Sequence, residues 1–308
     1  MGYYLRIGQD GAPLGVWKID DDVAIRLGVA NPEQGPGTYF KANPGETIWA
    51  TIRHLTPWFE PDDRNPFHKI NLRPGEYYPR IARPIDQYPN EAPGWSPGAL
   101  QDTNIIAVAR GQLTALTRQL DRICQTVQPL PQNFHAFGHD IRNLLILACS
   151  EVEAHWRGVL TANGMSKDRY NTQDYVLLRR AMKLDGYSVT FPNYPWLEGI
   201  SPFKEWGSSG RPTQELKWYA AYNAVKHNRE AEFEKATLFH VFEAISACVI
   251  MMAAQFGLHR GLGQRSELQA FYQFSALPNW PPSEVYIHPY GELTPDWSPV
   301  LFDFSRTS

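Results

Sequence analysis

Four polar residues in the string WYAAYNAVKHNR, namely Asn223, Lys226, His227 and Arg229, have the types that could act on a phosphodiester without a metal. An imidazole titrates near neutral pH, so His227 is the candidate acid or base and Arg229 its catalytic companion. Lys226 and Arg229 would hold phosphate charge, and Asn223, four residues before His227, would orient the ring. Arg142, on an earlier segment, is the candidate for a second phosphate contact facing His227. The same residues also have a purely structural reading. Asn223 and His227 share a helical face with Leu216 and Tyr219, and polar groups buried there would need partners, for which Glu151 or Glu153 would serve.

Other chemistries find less support. His135 and His139 have a metal-compatible spacing, but Gly138 lies between them and no third ligand is evident. The acidic runs Asp20 to Asp22 and Asp62 to Asp63 read as solvated turns. Phosphate-binding glycine loops, dinucleotide fingerprints, nucleophile elbows and paired CxxC motifs are absent. The sequence therefore predicts no cofactor and no metal. Lys and Arg number 29 against 32 Asp and Glu, which excludes a general electropositive field for nucleic acid or anionic membrane but not a local basic site. The longest apolar run, Ala247 to Ala254, is too short for a membrane span, and the N-terminal string MGYYLRIGQDG is not of secretory type. Cys124, Cys149 and Cys248 lie far apart in apolar surroundings, as reduced core thiols of a cytoplasmic protein would.

The elements that must position these residues are mainly helical. Ile141, Leu144, Leu145, Ala148, Val152, Trp156, Val159 and Leu160 hold one face at about 100° per residue, which predicts a long helix opening after Pro131 and closing at Asn163-Gly164. Thr103 to Thr126 reads as a helix on the spacing of Ile106, Leu113, Leu116, Leu120 and Ile123. A shorter helix is expected from Thr172, the candidate cap, to Lys183; another opens at Pro212 or Thr213; the last and most apolar runs from about Glu230 to Phe256. Short connections between them favour antiparallel neighbours in a bundle.

Proline sets the limits of this core. Thirteen of 25 prolines fall in residues 1 to 100, six in 101 to 260 and six in 261 to 308, so the flanks cannot hold long helices. The expected class is mainly α: an antiparallel helical bundle at 101–258, a short-β N-terminal arm at 1–100 and an aromatic C-terminal arm at 259–308. Tyr3 to Ile7, Val16 to Ile19, Val23 to Leu27 and Thr47 to Leu55 read as short strands. The aromatic runs around Tyr290 and Gly291 predict a terminal hairpin or a strand pair with the first arm. Trp95, Trp196, Trp206, Trp280 and Trp297, each beside Pro or Gly, are expected to pin the arms down.

The long helix FGHDIRNLLILACSEVEAHWRGVL, then WYAAYNAVKHNR, then an apolar helix, resembles the HEPN superfamily of helical proteins over about residues 101 to 258. The resemblance implies a role in bacterial defence or stress, an RNA or nucleotide as partner, a homodimer formed through the helical core, and metal-independent RNA cleavage. Catalytic members carry an Arg followed four to six residues on by a His. Here no arginine of the helical core has that spacing, and His227 precedes Arg229; Arg64 and His68 come nearest, in the proline-rich arm. The alternative is a non-enzymatic interaction protein in which the cluster is structural.

Overall fold

A computed structural model describes residues 1–8, 10–55, 65–85, 94–291 and 296–305, with the side chain of Arg229 left aside. The chain divides into two compact units: Met1–Tyr77 with Arg83–Gly94 and Trp280–Pro299, and Tyr78–Ala82 with Trp95–Asn279 and Val300–Ser308. This division interleaves segments that the proline content had assigned to three consecutive stretches.

The first unit holds β1 (Gly2–Ile7), β2 (Pro13–Ile19), β3 (Val23–Arg26), β4 (Tyr39–Lys41), α1 (Ile48–Leu55), β5 (Phe67–Lys69) and β6 (Glu76–Tyr77). Five strands form an antiparallel sheet in the order β4-β3-β2-β1-β5. Alternation along β2 puts Trp17 and Ile19 into a cluster with Ala24, Phe40, Ile48, Ile52 and Phe67, while Val16 joins Leu5, Ile70, Val285 and Ile287. The segment Thr47 to Leu55, expected as a strand, is the helix α1. Ile48 and Ile52 are four residues apart and both buried, and the Thr47 hydroxyl accepts the Ala50 N–H at 3.2 Å, so the helical period and a cap outweigh β-branching. The strand pair with the first arm exists as β6 beside β9 (Ser298–Pro299), in parallel.

Helices dominate the second unit: α2 (Thr103–Thr126), α3 (His139–Ala162), α4 (Thr172–Tyr175), α5 (Leu177–Met182), α6 (Pro212–Glu215), α7 (Lys217–His227), α8 (Arg229–Glu232), α9 (Leu238–Phe256), α10 (Leu258–Leu262) and α11 (Glu267–Phe271), with an antiparallel pair of distant strands, β7 (Ser188–Thr190) and β8 (Gln273–Ala276). The apolar face read along α3 is wholly buried, as is nearly every residue of α9. Of the helices described, α9 alone is long and apolar enough to cross a membrane, and 83% of its apolar window is covered within the fold, as a core helix would be.

Helix ends depart from the periodicity. Pro131–Asn133 forms a separate 3-10 turn, and α3 opens only at His139, after an extended Gly138. The stretch expected as one helix from Glu230 breaks, and α9 begins where the Thr237 hydroxyl accepts the His240 N–H. Asn171, rather than Thr172, caps α4, through a capping box with Asp174. Extended Leu216 separates α6 from α7.

Neighbouring helices are not all antiparallel. Phe137 bridges Thr237, the Cys248 thiol reaches the Ala148 carbonyl, and Gln255 reaches His155, so α3 and α9 run in the same direction. By contrast α7 opposes α3: Arg142 meets Val225 near one end and Glu153 meets Tyr219 near the other.

Candidate functional site

The predicted cluster lies where α7 packs against α3. Trp218, Tyr219, Ala221, Tyr222 and Val225 turn inward, Asn223 is half-buried, and Lys226 and His227 are exposed. Each charged group that the structure brings together here has an internal partner. The Tyr219 hydroxyl donates to Glu153 Oε1 at 2.6 Å, and burial followed by this bond to a carboxylate pushes the phenol well above its usual pKa. Lys226 Nζ donates to the Tyr222 hydroxyl at 2.7 Å and lies 4.8 Å from the centre of its ring; the hydrogen bond is the main reason its pKa is raised.

Arg142 arrives from α3 at the end of α7. Its Nη2 donates to the Val225 carbonyl at 3.4 Å and its Nη1 to Asn143 at 3.1 Å. Val225 is among the last carbonyls of α7, which have no acceptor role inside the helix, so the guanidinium acts as a cap and as a counter-charge to the helix dipole. The structure therefore brings Arg142 close to the Lys226 and His227 turn but does not complete the predicted constellation. Among the described residues no hydrogen bond involves the side chains of Asn223 or His227, so Asn223 does not orient the imidazole. Nor do Glu151 and Glu153 bind these two: Glu153 takes Tyr219, and Glu151 Oε1 faces His155 Nε2 at 3.4 Å. The side chain of Arg229 lies outside the described residues, as does Arg64.

A second polar group, not foreseen, runs through the seam between α3 and α9. Arg80 Nε donates to Gln255 Oε1 at 2.9 Å, and Gln255 Nε2 lies 3.0 Å from His155 Nδ1. Arginine can only donate, which fixes the amide oxygen toward Arg80 and its NH2 toward His155; Nδ1 is then the acceptor and the ring proton sits on Nε2, facing Glu151. Burial, and next the Arg80 charge, lower the His155 pKa to about 3, while burial alone raises that of Glu151. Gly158 makes room for the arginine, since a Cβ there would fall 2.1 Å from Arg80 Nη1. His155 is only 3% exposed, so its imidazole is sealed from solvent. The group's signal in the sequence was a polar residue, His155 or Gln255, on each of two otherwise apolar faces.

The third arrangement is a cavity of about 490 Å³ bounded by Phe134, Trp196, Leu197, Ile200, Phe239 and Glu243, with Glu198, Ser201 and Lys204 also lining it. A pocket of about 260 Å³ elsewhere in the unit is lined partly by Arg179 and Arg180 and holds no unpaired carboxylate. In the larger one, Phe134 and Phe239 rings lie 5.0 Å apart, and the Trp196 indole is anchored by its Nε1 donating to the Pro129 carbonyl at 2.8 Å. Despite these contacts, Trp196 and Phe239 remain 45% and 37% exposed. Glu243 Oε2 is closed off from solvent without a hydrogen-bond partner among the described residues. Burial pushes this carboxyl up to about 7, against the opposing pull of Lys217. A lone acid in an otherwise apolar helix was the sequence signal for it.

Among the described residues, no group of three or more His, Cys, Asp or Glu could hold a metal ion, and Cys124, Cys149 and Cys248 are buried and unpaired. No protein-family model matches the chain, and neither curated proteins nor solved structures give a match.

Proposed function

We propose that this is a non-catalytic binding protein whose ligand occupies the cavity beside Glu243, and that the Asn223, Lys226, His227 and Arg142 cluster serves the packing of α7 on α3. The observation that carries this reading is the combination of two exposed aromatic walls, Trp196 and Phe239, with a carboxyl side chain, Glu243, that lines the same cavity and has no hydrogen-bond partner among the described residues. Concave, mainly apolar sites with a few placed polar groups and a perturbed titratable residue are where ligands bind. Three buried thiols without disulfides fit a soluble, cytoplasmic setting. The test is calorimetric titration with benzyl alcohol, a neutral aromatic probe. Wild type is expected to bind it in the millimolar range, a free energy of about −4 kcal/mol, and Trp196→Ala to bind it at least several-fold more weakly. Absence of binding at about 10 mM would overturn the reading.

A second reading is of HEPN type: RNA or a nucleotide bound, and cleaved through His227 and Arg229, with Lys226, Arg142 and Asn223 as phosphate ligands and a homodimer through the helical core. It is favoured by the exposure of Lys226 and His227 and by an imidazole that has no partner among the described residues. Against it stand the internal acceptors of Arg142 and Lys226 and the acids Asp140, Glu230, Glu232 and Glu234 on adjoining segments. Labelled RNA incubated with the protein in EDTA should stay intact. Cleavage that disappears in both His227→Ala and Arg229→Ala would replace the first reading with the second.

A further inference from the structure

The chemistry of the cavity narrows the class of ligand. Its walls offer three aromatic side chains, Phe134, Trp196 and Phe239, and two acidic ones, Glu198 and Glu243, against one lining cation, Lys204. An anion would meet two acids. A neutral ligand would leave the Glu243 carboxyl, which lines the cavity, without an opposite charge. A cation meets an opposite charge in a medium poorer in water than bulk, where such attraction is strongest, and aromatic faces attract cations through their ring quadrupoles. We propose that the cavity is a site for a small organic cation, an ammonium joined to an apolar or aromatic body, paired with Glu243 and enclosed by Phe134, Trp196 and Phe239. This inference rests on the binding reading above and adds to it the charge of the ligand. A volume of about 490 Å³ lies in the range of small-molecule sites.

The position of Glu243 in its titration gives the proposal a second readout. With its carboxyl held up to about 7 by burial, Glu243 changes from neutral to negative across the physiological range, and a cation should bind the negative form. The other charged or titratable groups around it are Lys217 on α7, the Cys149 thiol on α3, His240 on α9 with His135 beside that ring, and Glu198 and Lys204 on the cavity wall.

The experiment compares benzyltrimethylammonium, a permanent cation, with benzyl alcohol by calorimetric titration of the full chain near pH 8 and near pH 6. The cation is expected to bind wild type at least about tenfold more tightly than the alcohol near pH 8, and to lose about tenfold in affinity on going to pH 6. In Glu243→Gln both differences should vanish while the alcohol binds as before; any pH dependence left in that variant belongs to the other groups. Equal affinity of wild type for the two probes would overturn the cation assignment and leave the binding reading intact. If neither probe binds, both fall. Should Glu243→Gln not fold, the wild-type pH series and Glu243→Leu decide the same question.

Discussion

Two places in the helical unit force a titratable side chain toward its neutral form, and they treat it in opposite ways. In the seam between α3 and α9, His155 is sealed, but its Nδ1 accepts from Gln255, which is itself held by Arg80, and only its Nε2, 3.4 Å from Glu151 Oε1, lacks a hydrogen bond. At the cavity, Glu243 is shielded by burial and Oε2 receives nothing. Burying a polar group is tolerable when its hydrogen bonds are replaced and costly when they are not. The seam, where one ring nitrogen is satisfied and the other faces Glu151, is closer to what packing alone would select. A carboxyl left unpaired beside open aromatic rings is what packing would remove, which is why the cavity carries the functional reading.

The two places also predict opposite pH behaviour. For His155 the folded pKa, about 3, lies below the unfolded 6.5, so stability is complete above pH 6.5 and drains away as pH falls. Urea unfolding should show this group contributing a loss of about 2 kcal/mol by about pH 5, and His155→Leu should remove that part of the slope. If the variant keeps the wild-type slope, His155 is not the buried neutral group described. For Glu243 the folded value, about 7, lies above the unfolded 4.5, so stability is complete below pH 4.5 and is lost as pH rises through 7. The difference in unfolding free energy between wild type and Glu243→Gln should widen in favour of the variant by roughly 1 to 3 kcal/mol between about pH 5 and pH 8. A constant difference would erase the contrast between seam and cavity.

Smaller effects test the α3 and α7 junction. Arg142→Ala should cost about 1 kcal/mol in chemical denaturation, through loss of the bond to the Val225 carbonyl. His227→Ala should change stability by less than about 0.5 kcal/mol, because its imidazole is exposed and makes no bond among the described residues. A large loss in this second variant would show that His227 has a structural task that its surroundings do not reveal.

How much of this was legible beforehand depends on the range of the forces involved. The face of α3 could be read residue by residue, since helical period and burial coincide over its whole length. The start of α9 could not: from Glu230 to Ala236 the chain is mostly Ala, Glu and Lys, all good helix formers that would extend the helix upstream, and the Thr237 cap marks where it actually opens. The Asn223 and His227 face was drawn as one stripe with Leu216 and Tyr219, yet Leu216 lies in a break and Tyr219 turns to Glu153. The residue type of Arg142 suits a phosphate ligand; that it meets a carbonyl more than eighty residues away is tertiary information. Glu243 was visible as an isolated acid, but its lack of a partner could be known only once Phe134, Trp196 and Phe239 were placed around it.

The shared direction of α3 and α9 has a consequence for the chain as it is made. Helices that run the same way cannot be joined by a short turn, and the partners Ala148 with Cys248 and His155 with Gln255 are each separated by 100 positions. At about 5 to 20 residues per second, the ribosome must work for roughly 5 to 20 s after releasing α3 before the helix that covers it exists. During that interval the greasy stripe of α3, with His155 in its middle, is left to water or to whatever else in the cell will shelter it.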